Sequence, residues 1–416
     1  MKPLFAHPQT ETDAPPAKRV VGVAVNANLW RTFDYLWPDG FGEPEPGLRV
    51  RVPFGKGDRR TLGFVTDTLR RPSGHELKRV AELVDPETLF DDMLRRLGEW
   101  MSHYYLSPPG MTLAAMIPSA VGRRRPRSET VVFLTIADRR EWPPRLGGRQ
   151  RRALDELYEA RKQGIEPLTL ERLAEHSGAS RDSVARLKAR GLVRFETREV
   201  SLPDLPDAVD PDPFELNADQ AEALARIEAK LDGGFSTTLL HGVTGSGKTE
   251  VYIRAIRRVV AAGRQAILMV PEIALATQTV QRLVRRLPRV AVLHSGLTDS
   301  ERDFYWRRIA TGDAAVVVGP RSAVFAPARR LGLIVVDEEH EGSYKQDNVP
   351  RYHGRDVAVM RTSLAGAPAV LGSATPSLES FLNARQGRYE LIRLGRRVRG
   401  LPMPKLEIVN LRREIT

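Results

Sequence analysis

The sequence contains no cysteine and no long apolar run. Without cysteine the chain can form no disulfide, use no thiolate nucleophile and bind no metal through thiolate. A membrane-spanning helix needs about eighteen or more consecutive apolar residues, and no stretch has this length. Residues 1–17 are polar and lack the apolar centre of a signal peptide. These absences predict a soluble, cytoplasmic protein without a membrane partner.

Acidic residues are in deficit. The 416 residues include 64 Lys and Arg against 52 Asp and Glu, which gives a formal net charge of +12. The excess is concentrated, because residues 123–198 hold 19 Lys and Arg against 11 Asp and Glu. The positive electrostatic field of such a chain favours binding of polyanions and is consistent with a nucleic-acid partner. A solvated basic surface would give the same composition, so sequence motifs are needed to distinguish it from a nucleic-acid-binding surface.

Short runs rich in β-branched and aromatic residues follow a predicted disordered tail over residues 1–17. They cover residues 19–25, 32–36, 48–52 and 61–66. Glycine and proline clusters separate them, which predicts an antiparallel, β-rich, barrel-like module. A helix is predicted over 87–106, where apolar residues recur at helical spacing. We assign residues 18–118 to this module.

An arginine-rich segment, 119–148, is predicted to be a basic linker. Three helical segments and a strand follow, over residues 148–164, 169–176, 180–190 and 192–200. A tight turn joins the second and third helices, which is the order of a winged helix-turn-helix, predicted here over 149–202. Arg181 and Arg186 would lie on its recognition helix. An ordinary helical bundle fits the same pattern, but the local basic excess favours DNA.

Residues 203–213 contain four Pro and four Asp and are predicted to be an interdomain linker. After them, short apolar runs alternate with helical segments. The runs cover residues 237–240, 266–270, 290–293, 315–318, 333–336 and 369–371. Nearly continuous Val, Ile and Leu between helices indicates a parallel sheet covered on both faces. We therefore predict that residues 214–416 form an α/β lobe.

The segment 242–249 has the composition of a phosphate-binding loop and lies between a predicted strand and a helix. Its residues are Gly242, Val243, Thr244, Gly245, Ser246, Gly247, Lys248 and Thr249. Glycine allows backbone N–H groups to curl around phosphate oxygens. Lys248 would neutralise the β and γ phosphates of ATP, and Thr249 would bind Mg²⁺. The lobe is thus predicted to be a P-loop NTPase of the RecA-like type.

An acidic box, residues 337–340, follows the strand predicted at 333–336. One carboxylate at a strand end beside a phosphate loop can bind Mg²⁺, and the next can orient the attacking water. We assign Asp337 to the metal and Glu338 to the water, so that Lys248, Asp337 and Glu338 are the candidate catalytic residues. Alone, such a cluster is more often a solvated loop; the upstream phosphate loop argues against that interpretation.

Several segments resemble those of superfamily-two helicases. With the acidic box they are residues 270–275, 318–322 and 372–377. More narrowly, residues 18–416 resemble the bacterial replication-restart helicases, the primosomal protein N′ family. Residues 344–346 and 351–353 are similar to that family's aromatic-rich loop, and residues 26–56 to its amino-terminal domain.

The resemblance implies roles for individual residues. Gln220 would read adenine. Nucleotide state would be coupled to DNA movement by His340, Gly372, Ser373, Ala374 and Thr375. DNA would be contacted by Arg321, Ser322, Tyr344, Lys345, Arg351 and Tyr352. The pocket for the three-prime end of a nascent strand is matched by Phe33, Asp34, Gly55 and Lys78.

The resemblance also implies parts that do not occur in this sequence. Family members carry a second motor lobe and a zinc-binding insertion with paired cysteines, whereas this chain ends at Thr416 without cysteine ligands for zinc. Pro350 stands where the family's loop often has Trp. Motors of this class need an arginine from the second lobe, worth roughly a thousandfold or more in rate. We therefore expect a fragment or short gene product that binds ATP and forked DNA weakly and turns over little.

The implied function is an ATP-dependent, three-prime to five-prime DNA helicase of replication restart. Its partners would be forked and single-stranded DNA, single-strand binding protein and other primosome components. Two alternatives stay open. A non-motor loader could mark forks for partner proteins. A translocating subunit of a restriction system would share the motor motifs but would not require the amino-terminal barrel with Asp34.

Overall fold

A computed structural model of the chain describes residues 19–70, 76–85, 87–118, 121, 128–136, 138–163, 166–199, 205, 207, 214–275 and 284–398. Several predicted segments lie wholly or largely outside these residues, namely the tail 1–17, the arginine run at 123–127, the linker 203–213 and residues 399–416. The chain divides into two compact units. The first comprises Met1–Arg123 with Leu205–Thr416, and the second is Arg124–Asp204.

The amino-terminal part of the first unit is an antiparallel five-stranded sheet. Its strands are β1 (Val20–Val25), β2 (Phe33–Leu36), β3 (Arg49–Phe54), β4 (Arg59–Arg70) and β5 (Glu82–Leu83), in the order β2-β1-β4-β3-β5. A parallel bridge between Leu36 and Arg79 links the end of β2 to the segment that leads into β5, so the sheet curls toward closure. The predicted antiparallel, β-rich amino-terminal region is confirmed.

Two helices follow the sheet, α1 (Asp92–Tyr104) and α2 (Pro109–Met116). The helix predicted over 87–106 is therefore too long. Its true start is set by Asp91, whose side chain accepts a hydrogen bond from the Leu94 N–H at 2.8 Å. The apolar pattern extends upstream of this cap because Leu89 and Phe90 also pack against the core, although they lie outside the helix.

The second unit contains three helices and a small antiparallel sheet. The elements are β6 (Ser128–Leu134), α3 (Gly148–Lys162), β7 (Leu168–Thr169), α4 (Leu170–Ser177), α5 (Arg181–Ala189) and β8 (Val193–Glu199). Ser180 caps α5 through a hydrogen bond from the Ser183 N–H. The central strand is β6, so the assignment of residues 119–148 to a linker is wrong where it covers Ser128–Leu134. The neighbouring arginines obscured an apolar run in which Val131 and Val132 are buried.

The carboxy-terminal part of the first unit is a parallel seven-stranded sheet. Its strands are β9 (Ser236–Gly242), β10 (Gln265–Met269), β11 (Val290–Val292), β12 (Val316–Gly319), β13 (Leu331–Val336), β14 (Pro368–Ser373) and β15 (Glu390–Leu394). They follow the order β11-β12-β10-β13-β14-β9-β15, and every neighbouring pair is parallel. The predicted parallel sheet is confirmed, and all six predicted strands occur in it. The seventh, β15, lies at an edge, where Glu390 and Arg393 interrupt the apolar run.

The helices of this lobe are α6 (Ala218–Glu228), α7 (Lys248–Ala261), α8 (Glu272–Leu275), α9 (Asp299–Thr311), α10 (Gly354–Ala365) and α11 (Leu378–Arg385). Parallel strands place their carboxyl ends at one edge, and this edge brings together the segments that follow β9, β13 and β14. Helix α1 packs against α10, and the His353 N–H donates a hydrogen bond to the Tyr105 hydroxyl at 3.2 Å. No described helix has the length and apolarity to span a bilayer.

Candidate nucleotide and DNA site

The predicted phosphate-binding loop lies between β9 and α7. Gly245 and Gly247 have φ angles of 81° and 83°, which lie in the left-handed region that favours glycine. A Cβ on Gly242 would lie 2.5 Å from the Ser246 hydroxyl oxygen. That hydroxyl is buried and has no hydrogen-bond partner among the described residues. The loop is therefore a tightly curled cradle with an unused polar group inside it.

Lys248 joins the phosphate-binding loop to the acidic box. Its side chain is only 8% exposed, and its ammonium donates a hydrogen bond to the Gly242 carbonyl at 2.9 Å. The same nitrogen lies 3.9 Å from a carboxylate oxygen of Glu338. Two segments about ninety residues apart in the sequence thus meet at the carboxyl edge of the sheet.

Asp337 follows β13 directly, and its N–H donates to the Met269 carbonyl at 2.9 Å. Burial raises the pKa of the Asp337 carboxyl to about 6, and the neighbouring charge of Glu338 acts in the same direction. Lys248 opposes this shift by favouring the ionised form. Glu338 itself has a φ angle of 46°, an unfavourable backbone conformation that clusters at functional sites.

The residues present fit a magnesium ion bound together with a nucleotide. Two adjacent carboxylates, one of them buried, place negative charge beside the loop, and a divalent cation would neutralise it. Asp337 and the hydroxyl of Thr249, at the start of α7, would hold the ion. Among the described residues, no group of three or more His, Asp or Glu side chains could hold a metal alone. Phosphate oxygens commonly complete such a magnesium site.

Two buried tyrosines lie beside Asp337, and no sequence pattern indicated that either would lie there. The Tyr252 hydroxyl, on α7, lies beside the Asp337 carboxylate, and burial together with that carboxylate raises the pKa of the phenol. The Tyr344 hydroxyl donates a hydrogen bond to the Asp337 backbone carbonyl at 2.8 Å. The Asp337 backbone is therefore held by Tyr344, whereas the buried Tyr252 hydroxyl makes no hydrogen bond among the described residues.

The predicted coupling residues lie together. The His340 ring nitrogens lie 2.8 Å from the Ser373 hydroxyl and 3.3 Å from the Thr375 hydroxyl. The Thr375 N–H also donates to the Ser373 hydroxyl at 3.0 Å. Gly372 adds a backbone contact, because its carbonyl accepts from the Glu339 N–H at 3.0 Å, and Ala374 lies within the same turn. The acidic box and the segment after β14 are thus directly connected.

Glu339 is a structural residue that the sequence did not single out. It is fully buried and accepts hydrogen bonds from the Arg355 guanidinium at 3.1 Å and the Ser380 hydroxyl at 2.8 Å. The Ser377 N–H and hydroxyl donate to it at 2.7 and 3.0 Å. This network fixes the turn that begins α11 against the acidic box. No spacing rule could have revealed it, because Arg355 and Ser377 come from separate elements.

Gln220 braces the phosphate-binding loop. Its side-chain amide donates to the Ser246 carbonyl at 2.9 Å, while its carbonyl accepts from the Asn217 N–H in a capping box. The side chain is only 4% exposed. Both ends of the amide are therefore engaged with the protein, in contrast to the open arrangement that the predicted contact with adenine requires.

The predicted DNA contacts on the lobe fall into two groups. Tyr344 and Tyr352 are each 1% exposed, so neither ring can stack on a base in this structure. Lys345 and Arg351 are exposed, and the Lys345 ammonium donates to the Arg351 carbonyl at 2.6 Å. The buried rings support the loop, and the two cations remain accessible.

Arg321 and Ser322 follow β12. The Arg321 guanidinium donates to the Ser343 carbonyl at 3.2 Å and lies 5.6 Å from the centre of the Tyr352 ring. Ser322 is exposed. Arg321 is thus held in place against the aromatic-rich segment at the carboxyl edge of the sheet.

The four residues matched to a three-prime-end pocket line one open pocket in the amino-terminal sheet; they are Phe33, Asp34, Gly55 and Lys78. The Phe33 ring contacts the Phe54 ring edge to face at 5.1 Å, and the Arg31 guanidinium lies 4.8 Å from its centre. Lys78 forms an ion pair with Asp58. The pocket therefore combines an aromatic ring with charges of both signs.

In the second unit, Arg181 and Arg186 lie on α5 and are exposed. Arg181 forms an ion pair with Glu171 at 3.2 Å, and the Arg186 side chain donates to the Asp182 carbonyl at 3.4 Å. Both guanidinium groups can reach solvent on the helix predicted for DNA recognition.

The phosphate loop facing an acidic box on a parallel sheet defines the lobe as a P-loop NTPase fold, and residues 217–383 match the DEAD/DEAH box helicase family. Residues 22–118 match a 3′ DNA-binding domain (3′BD). The chain is 34% identical over 469 residues to the replication restart protein PriA of Bacillus subtilis (strain 168), covering 96% of this chain and 58% of that protein. It is 36% identical over 403 residues to that of Chlamydia pneumoniae, covering 94% and 53%.

The chain belongs to the PriA family of replication restart proteins. It spans little more than half the length of the curated relatives named above. Among solved structures, RecG bound to a three-way DNA junction is 25% identical, with a TM-score of 0.37, over 48% of this chain and 27% of that one.

Proposed function

We propose that this chain supplies the DNA-end-binding and ATP-binding parts of a three-prime to five-prime helicase that recognises forked DNA and initiates primosome assembly. One observation carries the ATPase part of the proposal. The Lys248 ammonium lies in the phosphate-binding loop 3.9 Å from the Glu338 carboxylate, so a triphosphate seated in the loop would face the acidic box.

Each residue of the nucleotide site then has a role. The backbone N–H groups of the loop and Lys248 bind the phosphates, while Thr249 and Asp337 hold Mg²⁺. When bound, the ion neutralises charge on the transferred phosphoryl group. Glu338 orients the attacking water. Gln220 holds the phosphate-binding loop in shape, since its side-chain amide donates to the Ser246 carbonyl.

His340 would report the nucleotide state. Its two ring nitrogens contact Ser373 and Thr375 on the far side of the acidic box. Loss of the γ-phosphate changes the charge beside Glu338, whose carboxylate lies 3.6 Å from the His340 ring. A shift of this ring would move the turn after β14.

DNA contacts follow from exposure and charge. The pocket with Phe33, Asp34, Gly55 and Lys78 would hold a three-prime terminal nucleotide. The half-buried Arg321 and the exposed Ser322, Lys345 and Arg351 would contact the single-strand backbone. The second unit would act as a winged helix in which Arg181 and Arg186 contact duplex phosphates.

The partners and turnover of the chain are also part of the proposal. Single-strand binding protein and other primosome components would bind the helicase at the fork. Motors of this class use an arginine from a second lobe, worth roughly a thousandfold or more in rate. Rapid hydrolysis at the site described above would therefore depend on such an arginine.

Two measurements test this function. Binding of a fluorescent ATP analogue should require Mg²⁺ and should be lost in Lys248→Ala but kept in the control Lys345→Ala. Forked DNA with a three-prime hydroxyl should bind more tightly than the same fork with a three-prime phosphate, and Asp34→Asn should remove that preference. Binding of forks without any nucleotide binding would contradict the motor and favour a loader. Equal affinity for both fork ends would contradict the three-prime-end role.

A further inference from the structure

The segment that follows β15 runs beside the phosphate-binding loop. Strand β15 pairs in parallel with β9, and its last residue, Leu394, is the register partner of Gly242, where the loop begins. Four residues further on, the Val398 N–H donates a hydrogen bond to the Gly245 carbonyl at 2.9 Å. We call residues 395–398 the strap. None of the roles assigned above involves it.

The strap also forms an ion pair with α6. The Arg396 guanidinium donates through Nε and Nη2 to the two carboxylate oxygens of Asp219, at 3.3 and 2.8 Å. Asp219 directly precedes Gln220, which donates to the Ser246 carbonyl at 2.9 Å. The strap and α6 therefore hold two consecutive carbonyls of the loop, those of Gly245 and Ser246, and are bonded to each other by a two-pronged pair.

The peptide unit between Gly245 and Ser246 is restrained at both ends. Its carbonyl accepts the hydrogen bond from the strap, and its N–H donates to the Val243 carbonyl at 2.9 Å. Because a trans peptide is planar, each of these bonds restrains the orientation of the whole unit. Gly245 has a φ angle of 81°, and glycine loses more backbone freedom on ordering than any other residue. The strap thus orders a part of the loop whose freedom would otherwise oppose phosphate binding.

The exposure of the strap favours this local role over a role in folding. The Arg396 side chain is 77% exposed, and that of Val398 is 37% exposed. An ion pair so open to water contributes little to the stability of the whole lobe. Strand β15 is held independently, because it pairs with β9 over its full length. Loss of the strap contacts should therefore change the loop while leaving the fold intact.

We propose that Arg396 and the Val398 N–H are positioning groups for ATP, which hold the phosphate-binding loop in the shape that binds a triphosphate. This rests on the proposed nucleotide-binding function. Neither group has to touch the nucleotide, since both act through the backbone of Gly245. Coupling between two events is reciprocal, so a displaced strap lowers the affinity for ATP, and bound ATP resists displacement of the strap.

Charge reversal in the ion pair tests the proposal, with methylanthraniloyl-ATP and Mg²⁺ as the probe. Asp219→Arg and Arg396→Asp each bring like charges together, and each should weaken binding by about two- to fivefold. The double variant restores the pair with its charges exchanged and should bind within about twofold of the wild type. Asp232→Arg is the matched control, because it breaks an exposed pair with Arg264 at 2.7 Å and should leave the affinity unchanged. A double variant as weak as the single ones overturns the inference.

Removal of the backbone donor is an independent test. Val398→Pro lacks the N–H and should weaken binding roughly tenfold or less, whereas Val398→Ala keeps it and should bind as the wild type does. Val398→Pro combined with Arg396→Asp should cost less than the product of the two separate effects, because both release the same strap.

Fork affinity without nucleotide should be the same in every strap variant, which separates a local effect from general unfolding. Unchanged or tighter nucleotide binding by Val398→Pro contradicts the inference, since the strap would then be idle or would obstruct the loop. If the wild type binds no nucleotide, the proposed function itself is wrong.

Discussion

A Cβ atom placed on Gly372 would lie 1.5 Å from the hydroxyl oxygen of Tyr252. Gly372 belongs to β14, the strand before the coupling turn, and Tyr252 belongs to the helix that follows the phosphate-binding loop. The same hydroxyl lies beside the Asp337 carboxylate. The segments proposed for phosphate binding, metal binding and coupling therefore pack tightly against one another at Tyr252.

Replacement of Gly372 by alanine should disrupt the packing of β14 against Tyr252. The added methyl group displaces the buried Tyr252 ring, and overpacking of this kind costs about 1 to 3 kcal/mol. We expect Gly372→Ala to lower the free energy of unfolding in urea and to weaken binding of the ATP analogue. Gly148→Ala is the matched control, because nothing lies within 4 Å of its Cβ position. Adding Tyr252→Phe should recover part of the stability; no recovery would show that the hydroxyl is not the obstacle.

Asp337 should make the stability of the nucleotide-free protein depend on pH. Its pKa is raised from 3.8 to about 6, so the folded chain binds this proton more tightly than the unfolded chain does. The contribution of Asp337 to stability therefore falls as pH rises from about 4 to about 6 and stays low above that. Asp337→Asn should stabilise the protein at pH 8 by up to about 3 kcal/mol, with about half of that gain at pH 5.

Thermal unfolding at the two pH values measures this effect of Asp337→Asn. The same variant should lose Mg²⁺-dependent nucleotide binding, since an amide is a weaker ligand for the ion. Asp347→Asn, at an exposed position, removes an equal charge and should change neither property. An equal gain at pH 5 and pH 8 would mean that the buried charge of Asp337 is not the cause.

Glu339 should matter for folding although it lies within the acidic box. Glu339→Ala removes the fully buried counter-charge of the Arg355 guanidinium and leaves it only the ion pair with Asp356 at 2.8 Å. Loss of one partner of a buried pair costs about 3 to 5 kcal/mol, and we expect the lower end of that range because Asp356 remains. Urea unfolding should show this loss, while Glu379→Ala on the exposed face of α11 should not. Replacing both Glu339 and Arg355 by methionine should recover much of the stability. If Glu339→Ala unfolds at the wild-type urea concentration, the network has no structural role.

The basic surface of the second unit should control the salt dependence of duplex binding. Each phosphate contact contributes about 0.9 to the slope of log affinity against log salt concentration. Arg181→Ala together with Arg186→Ala should reduce that slope by about 1 to 2 and weaken all duplex sequences equally. The pair Arg149→Ala and Arg151→Ala removes the same charge from exposed positions on α3 and is the control. If both double variants gave identical slopes, the salt dependence would be set by net charge alone and not by contacts from α5.

The sequence predicted the parts of the fold that depend on local pattern. Uninterrupted apolar runs identified the buried strands of the parallel sheet, and glycine spacing identified the phosphate-binding loop, because each signal is contained in a few consecutive residues. Strand β15 escaped detection since its edge position tolerates Glu390 and Arg393. Strand β6 escaped because arginines beside it suggested a linker.

Contacts between distant segments could not be predicted in the same way. The buried pair of Glu339 and Arg355, and the contacts of Tyr252 and Tyr344 with Asp337, depend on how β13, α7 and α10 pack. Tyr344 and Tyr352 looked like stacking platforms because aromatic residues beside cations suit nucleic acid. Their burial shows that the same composition also serves to hold a loop against a core.

The packing of α1 on α10, with the hydrogen bond from His353 to Tyr105, joins the amino-terminal module to the lobe within the first unit. If the amino-terminal pocket holds the last nucleotide of one strand while the lobe grips another, the gap between the two is set by protein architecture. The molecule would then bind best to forks in which the nascent end lies at one set distance from the branch point, and this selection would not require ATP hydrolysis.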